Sequence, residues 1–181
     1  LIRRQRQMCI RDRGIIRCTG KLLTELRTRP TNGPSRSLTW CDWHANLLRV
    51  DRKKCVLFTN TQTLYSLFLP LMKKPELEDF EEMFRLGLFK SLMAEGFGEL
   101  QVEYALREHQ HIVIARTNSR SVLGSMNDLA FQVKVMIDAM GGLANADLSE
   151  VNRQVNRVPM SAIKYKVSID ELKRLLAEVD R

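Results

Sequence analysis

The segment WCDWHANLLRVDRKKCVLFTNTQTLYSLFLP, residues 40–70, determines the fold that the sequence predicts. Two apolar stretches flank the polar residues 51–54, a pattern typical of a β-hairpin. Residues 55–58 are apolar on both faces of the second strand, which favours a central position in a sheet that is covered on both sides. Residues 63–69 predict a third strand or, as the alternative, a short helix, and we favour the strand. Pro70 ends this element because proline has no backbone N–H to donate.

Further elements are predicted on both sides of this segment. Residues 15–18 predict a strand, and residues 21–26 predict a short helix. After the hairpin, apolar residues at helical spacing predict an amphipathic helix over residues 77–96. A second helix is expected over residues 99–108, followed by a strand at residues 111–115.

The C-terminal third of the chain is predicted to be mainly helical. An apolar stripe over residues 122–140 predicts a long core helix that ends at Gly141 and Gly142. A shorter helix follows, and residues 168–171, Ser-Ile-Asp-Glu, predict a capping box at the start of the last helix. We therefore expect an α+β fold with a small antiparallel or mixed sheet of about four or five strands, packed by several amphipathic helices.

Residues 1–13, LIRRQRQMCIRDR, differ from the rest of the chain. They contain five Arg and one Asp, without helical or strand periodicity and without the apolar core of a signal peptide. Residues 8–13 resemble the translation of a transposon end sequence used in sequencing adapters, so we interpret 1–13 as a non-native, disordered arm. The alternative is a basic arm that binds nucleic acid. Residues 14–181 are then expected to form a single globular domain.

Charge is unevenly distributed along the chain. The net charge is +8, and the arm supplies half of it. Residues 14–75 contain 11 basic and 3 acidic side chains, whereas residues 76–150 contain 6 basic and 13 acidic ones. This asymmetry fits a surface for an anionic partner, or two oppositely charged surfaces that lie side by side in the fold.

Composition argues against several classes of protein. No apolar run approaches the roughly 18 residues that a membrane span needs, so no membrane association is expected. Outside the arm, Cys18, Cys41 and Cys55 are odd in number and form no CxxC pair, which favours reduced thiols and a cytoplasmic location. Cys41 and His44 form a C-x-x-H step without a second ligand pair, so we expect no metal, and no motif indicates a cofactor.

A small polar set is the candidate for catalysis. His44 and Asn46 lie on the same face of the predicted strand, because strand side chains alternate. In a small hydrolase-like enzyme, His44 would be a general base oriented by Asp128 or Asn46. Arg120 would stabilise a developing anion, and Ser121 would be the nucleophile.

The alternative for these residues is purely structural. Asn118 and Ser121 would cap the long helix, and Arg120 would pair with an acidic neighbour. His44 would be a hydrogen-bonded residue near the sheet edge. No spacing matches a nucleophile elbow, a P-loop, a zinc-binding helix or a dinucleotide fingerprint, which favours the structural interpretation.

Three basic groups are the candidates for binding an anionic partner. They lie at the hairpin tip, in the next loop and late in the chain, and consist of Arg49, Arg52, Lys53 and Lys54, then Lys73 and Lys74, then Arg153 and Arg157. If they converge on one face, they would form a site for nucleic acid or for an acidic protein surface. Trp40, Trp43 and Tyr65 are candidate stacking surfaces for bases. We therefore rank a non-catalytic binding or interaction module first and the hydrolase second.

Three blocks of the sequence resemble one family. WHANLLRVDRKKCVLFTN at 43–60, TNSRSVLGSMNDLAFQ at 117–132 and NRQVNRVPMSAIKYK at 152–166 are similar to the signature blocks of a bacterial family of domains of unknown function. The resemblance runs from Ile15 to near Leu176. It implies no activity, substrate or catalytic residue, so the functional hypotheses rest on the residues themselves.

Overall fold

The computed structural model describes residues 13–32, 40–71 and 77–178 of the chain. In these ranges it contains six helices, a five-stranded mixed sheet and a small two-stranded sheet, so the expected α+β fold is confirmed. The strands of the main sheet are β1 (Arg13–Cys18), β2 (Asp42–Val50), β3 (Lys53–Asn60), β4 (Ser66–Pro70) and β5 (His111–Arg116). The helices are α1 (Gly20–Glu25), α2 (Leu77–Ala94), α3 (Glu99–Glu108), α4 (Arg120–Ala139), α5 (Leu148–Val155) and α6 (Ser168–Leu176). The small sheet consists of β6 (Pro159–Met160) and β7 (Lys166–Val167), which flank a 3-10 turn at Ser161–Ile163.

The first strand of the chain lies inside the main sheet. The strand order is β4-β3-β2-β1-β5, with β1 parallel to β2 and β5 and the other neighbours antiparallel. The predicted hairpin is confirmed as the β2–β3 pair, and the predicted third strand is β4. Asp51 and Arg52 turn the hairpin with φ of 48° and 63°, the left-handed conformation that both central residues of a type I′ turn need. The Asp51 carboxylate is anchored by the Leu143 backbone N–H, which donates to it at 2.6 Å.

Helices cover both faces of this sheet. On one face, α1, α2, α3 and α6 pack on a core that includes Val56 and Phe58. On the other face, α4 and α5 pack on a core that includes Cys55 and Leu57. Successive residues of β3 are therefore buried on opposite faces, which confirms the central position predicted for residues 55–58. No helix within the described residues is long and apolar enough to cross a membrane.

The cap of α4 is not the one expected. Ser119 is the N-cap, and its Oγ accepts a hydrogen bond of 3.3 Å from the Val122 backbone N–H. Asn118 precedes the cap and interacts with His44, while Ser121 lies exposed in the first turn. The prediction that Asn118 and Ser121 cap this helix is therefore wrong. The strand β5 ends at Arg116, one residue beyond the predicted strand, and the N-cap is correspondingly Ser119 and not Asn118.

The predicted capping box at the start of α6 is also wrong. The N-cap is Val167, and Ser168 is already helical. Val167 is paired with Pro159 in the small sheet, and this pairing holds it in the extended conformation that an N-cap adopts. Ser168 Oγ is consequently buried and has no hydrogen-bond partner among the described residues.

One residue that the sequence assigns to the arm lies in the main sheet. Arg13, which we assigned to the arm, is the first residue of β1 and pairs with His111 of β5. Residues 1–12 lie outside the described residues. The described part of the chain therefore starts with a strand that runs between two others.

Gly87 lets α2 approach β4 closely. A Cβ atom built at Gly87 would collide with Leu69 Cδ1 and lie 3.1 Å from Leu69 Cδ2, whereas a Cβ at Gly124 in α4 would meet nothing within 4 Å.

Alanine usually stabilises a helix interior by about 1 kcal/mol relative to glycine. We expect Gly124→Ala to raise the free energy of unfolding by about that amount. In Gly87→Ala the collision should remove the gain or reverse it by about 1–2 kcal/mol. Urea denaturation of both variants tests this, and equal stabilisation of the two would contradict the close approach.

Candidate functional site

A row of buried polar side chains crosses one face of the main sheet. Strand register places Arg17 of β1 beside His44 of β2, His44 beside Thr59 of β3, and Thr59 beside Ser66 of β4. All four are at most 3% exposed. Because side chains alternate along a strand, they share the face that carries Cys55 and Leu57, beneath α4 and α5. The hydroxyl groups of Thr59 and Ser66 hydrogen bond to each other at 2.9 Å.

Arg17 and Asp42 form a buried ion pair in this layer. Arg17 Nε donates to both carboxylate oxygens of Asp42 at 3.0 Å, and the two side chains are 3% and 2% exposed. Burial raises the pKa of Asp42, while the Arg17 charge and the hydrogen bonds from Arg17 and Thr61 work in the opposite direction. The pair therefore compensates two charges that neither side chain could carry alone at this depth.

His44 is held as a neutral ring next to this pair. Its Nδ1 hydrogen bonds with Thr61 Oγ1 at 3.1 Å. The hydrolase hypothesis expects Asp128 or Asn46 in this position instead. Burial, and to a smaller extent the Arg17 charge, lower the pKa of His44 to about 4, against a smaller opposite effect of hydrogen bonding with Asn118. Nε2 makes no hydrogen bond of standard geometry within the described residues. A neutral, fully buried ring is a weak candidate for a general base that must reach a substrate.

The other residues proposed for catalysis are not gathered around His44. Asn46 Oδ1 accepts a hydrogen bond of 3.1 Å from Thr19 Oγ1. Arg120, Ser121 and Asp128 are exposed on α4. The part of the chain that the structure describes contains no hydrogen bond or ion pair between any of these three and His44. The hydrolase site stays a prediction without a geometry that supports it.

The described members of the three basic groups predicted from the sequence differ in whether they have an acidic partner. Lys54 is paired with Glu25 at 2.6 Å, and Arg153 lies 3.7 Å from Glu150. The guanidinium group of Arg157 donates two hydrogen bonds, of 2.8 and 2.7 Å, to the carboxylate of Glu95, which directly follows α2. Lys73 and Lys74 lie outside the described residues. Of the described members, Arg49, Arg52 and Lys53 are exposed at the hairpin and have no ion pair with a described residue.

The aromatic residues predicted to stack on bases are buried. Trp40 is 4% exposed, and Trp43 and Tyr65 are inaccessible to solvent. Trp43 Nε1 donates to His109 Nε2 at 2.9 Å, and the Tyr65 hydroxyl hydrogen bonds with Ser91 at 2.6 Å. The prediction of a stacking surface is therefore wrong, because these rings fill the core between the sheet and α2 and α3.

The C-x-x-H step does not assemble a site either. The Cys41 thiol donates to a Glu108 carboxylate oxygen at 3.5 Å, while His44 faces Thr61. Cys18, Cys41 and Cys55 are buried free thiols. Within the described ranges, no three His, Cys, Asp or Glu side chains are placed to hold a metal ion.

A basic groove that the sequence did not reveal lies beside α1. It has a volume of about 600 Å³ and is lined by Gly20, Leu23, Thr24, Arg27, Thr28, Arg29, Pro30 and Arg116. Three of the eight lining residues are exposed arginines and none is acidic. Arg27 and Arg29 follow α1, whereas Arg116 ends β5, so 87 positions separate the second arginine from the third. Thr31 joins these segments, because its backbone N–H and its hydroxyl donate to the Ile114 carbonyl of β5 at 2.8 and 3.0 Å.

Arg27, which lines this groove, has an unusual backbone conformation. It follows the C-cap of α1 with φ of 52°, the left-handed conformation that glycine normally supplies at this position. Thr28 N donates to Leu23 O at 3.3 Å and Arg27 N to Thr24 O at 3.3 Å, the two hydrogen bonds of a Schellman motif. An arginine costs about 1 kcal/mol more than glycine in this conformation. Such strain concentrates at functional sites, which makes Arg27 a candidate for selection by function.

A family model covers most of the chain. The match to the domain of unknown function DUF6933 extends over residues 15–171. The chain belongs to the DUF6933 family. This confirms the expected membership of a family of domains of unknown function, with a match that ends within α6. No curated protein and no solved structure matches the chain.

The DUF6933 match includes both polar features described above. The buried row from Arg17 to Ser66 and all of the groove from Gly20 to Arg116 lie inside residues 15–171. The arm lies outside the match. The groove thus lies within the segment that matches the family, and its charge is separate from that of the arm.

Proposed function

We propose that this DUF6933 domain binds nucleic acid through the arginine groove, defined by Arg27, Arg29 and Arg116. The observation that carries the proposal is a concave surface with three exposed guanidinium groups and no carboxylate in its lining. Guanidinium groups are planar and donate in pairs, so they suit phosphate better than the single ammonium of lysine does. An open groove of this kind is suited to an extended phosphate backbone.

The basic surface continues from the groove toward the hairpin. The Lys54–Glu25 ion pair, at 2.6 Å, attaches β3 to the last residue of α1, two residues before Arg27. Arg49 is the register partner of Lys54 and lies on the same side of the sheet. Arg49 and Lys54 thus extend the positive surface beyond the groove, and the Glu25 carboxylate offsets part of this charge. A surface longer than a single phosphate favours a polymer over a small phosphorylated ligand.

The experiment is a titration of labelled single-stranded and double-stranded DNA and RNA by fluorescence anisotropy at several salt concentrations. In the arm-neutral chain, Arg3, Arg4, Arg6 and Arg11 are replaced by glutamine, which removes the alternative that the arm alone binds. We expect the arm-neutral chain to bind, and the logarithm of its association constant to fall linearly with the logarithm of salt concentration.

Replacing Arg27, Arg29 and Arg116 by glutamine in the arm-neutral chain should weaken this binding strongly. The loss of three phosphate contacts should reduce the salt slope by about 2–3 and the affinity by roughly a hundredfold at about 0.1 M salt. The matched control replaces three exposed lysines that do not line the groove, Lys134, Lys164 and Lys173, by glutamine. Equal losses in the two triple variants would reject the groove, and binding that disappears with the arm would reject the proposal altogether.

A further inference from the structure

A second concave site lies at the opposite edge of the sheet from Arg116. This apolar cleft has a volume of about 280 Å³ and is formed by edge strand β4, α2 and α5. Its wall includes Leu69, Pro70, Gly87, Ala94 and Leu148. The volume is just below the ~300–1,000 Å³ of most small-molecule sites, so the cleft admits only a small ligand.

Three polar side chains in the wall of the cleft, those of Asn152, Ser91 and Glu95, already have partners. Asn152 accepts from Phe68 N at 2.6 Å and donates to Phe68 O at 3.1 Å. Ser91 is bonded to the Tyr65 hydroxyl. Glu95, whose side chain is 3% exposed, is neutralised by an ion pair of 2.7 Å with Arg157. A ligand in the cleft therefore meets mainly apolar surface, and an uncharged polar ligand would find few free partners there.

Positive charge is concentrated at the rim of the cleft. Lys90 is exposed and has no ion pair with any described residue. Arg153 also lines the cleft, is 56% exposed, and has only a long contact of 3.7 Å with Glu150. Because Glu95 is already paired with Arg157, Lys90 is the cation of the lining without an ion pair to a described residue, and Arg153 is the one held only by a long contact. The rim is thus complementary to an anionic head group.

We propose that the cleft binds a medium-chain fatty acid, with the acyl chain against Leu69, Gly87 and Leu148 and the carboxylate at Lys90 and Arg153. The apolar wall accounts for the acyl chain, and the exposed cations Lys90 and Arg153 account for the carboxylate. This site shares no lining residue with the arginine groove. It is independent of nucleic-acid binding, and the two proposals can fail separately.

The test uses the full chain and isothermal titration with decanoate below its micelle concentration, with decanol as the uncharged analogue. Saturable decanoate binding is expected, and the variant Lys90→Gln with Arg153→Gln should weaken it by about tenfold or more while decanol binding stays unchanged. Lys134→Gln with Lys164→Gln is the charge-matched control and should bind decanoate normally. Both of these pairs consist of exposed side chains, so the variants should fold.

A second variant tests the location of the acyl chain. Ala94 is an exposed lining residue at the end of α2, and Ala94→Met should fill the cleft without disturbing the core, reducing both decanoate and decanol binding. Circular dichroism checks that the helices are retained. Absence of saturable decanoate binding, or decanoate binding that both the charge variant and Ala94→Met leave unchanged, overturns the proposal. Sensitivity to Ala94→Met alone would also overturn it, since the carboxylate would then have no role.

Discussion

Replacing Asp42 by asparagine is expected to lower the free energy of unfolding by about 3–5 kcal/mol. The two side chains of this ion pair are 3% and 2% exposed, and Arg17 Nε lies 3.0 Å from both carboxylate oxygens. Asparagine keeps the size of the side chain but removes its charge. The Arg17 guanidinium would then stay charged and buried without the Asp42 carboxylate, because an arginine does not lose its proton in a protein. Urea denaturation at neutral pH measures the loss.

The same pair should be replaceable as a unit. Burial raises the pKa of Asp42 even though Arg17 is beside it, so desolvation of the carboxylate outweighs the attraction within the pair. Arg17→Met combined with Asp42→Val removes both charges and should recover most of the stability lost in Asp42→Asn. If Asp42→Asn costs less than about 1 kcal/mol, or if the double variant is less stable than the single one, the pair is not a compensated buried ion pair.

The sequence predicts the hairpin and the helices well because these elements depend on local patterns. The apolar run at 55–58 and the helical stripe at 122–140 each carry their own periodicity, and each forms the element expected. The position of β1 is different. Its insertion between β2 and β5 depends on pairing across 27 and 98 residues, as in Arg17↔His44 and Arg17↔Ala115, and no local pattern specifies this pairing.

This long-range pairing also explains why the candidate sites were only partly predictable. His44 was selected from its residue type, but strand register gave it Arg17 and Thr59 as neighbours instead of Asp128. Arg27 and Arg29 are visible in the sequence as two basic residues in a loop. Arg116 joins them only because the Thr31 segment is hydrogen-bonded to β5. A positively charged groove assembled in this way has no sequence signature.

The two buried histidines should make the domain sensitive to acid. His109 has no exposed surface; its Nδ1 lies 2.7 Å from Ala105 O and its Nε2 accepts from Trp43 Nε1 at 2.9 Å. This arrangement requires the neutral ring with its proton on Nδ1, since a proton on Nε2 would break the Trp43 hydrogen bond. Burial lowers the pKa of His109 to about 4, as it does for His44 beside Arg17. Both rings are therefore neutral in the folded chain, and folding below about pH 6.5 must release the protons that the unfolded histidines bind.

The sign of the effect follows from proton binding in the two states. An unfolded histidine titrates near pH 6.5, so between pH 6.5 and about 4 the unfolded chain binds more protons than the folded one. The stabilisation by each neutral ring is complete above pH 6.5 and is lost as the pH falls toward 4. Between pH 7 and pH 5 each ring should lower the free energy of unfolding by about 2 kcal/mol.

Single substitutions can assign this acid sensitivity to the two rings. His44→Gln and His109→Gln should each remove about half of the slope of the free energy of unfolding against pH, measured by urea denaturation between pH 7 and pH 5. His111, the third histidine, is exposed at the start of β5, so His111→Gln is the control and should leave the slope unchanged. A slope that survives both buried substitutions would place the acid sensitivity in carboxyl groups instead. It would also show that burial does not lower the pKa of the two rings as far as their surroundings indicate.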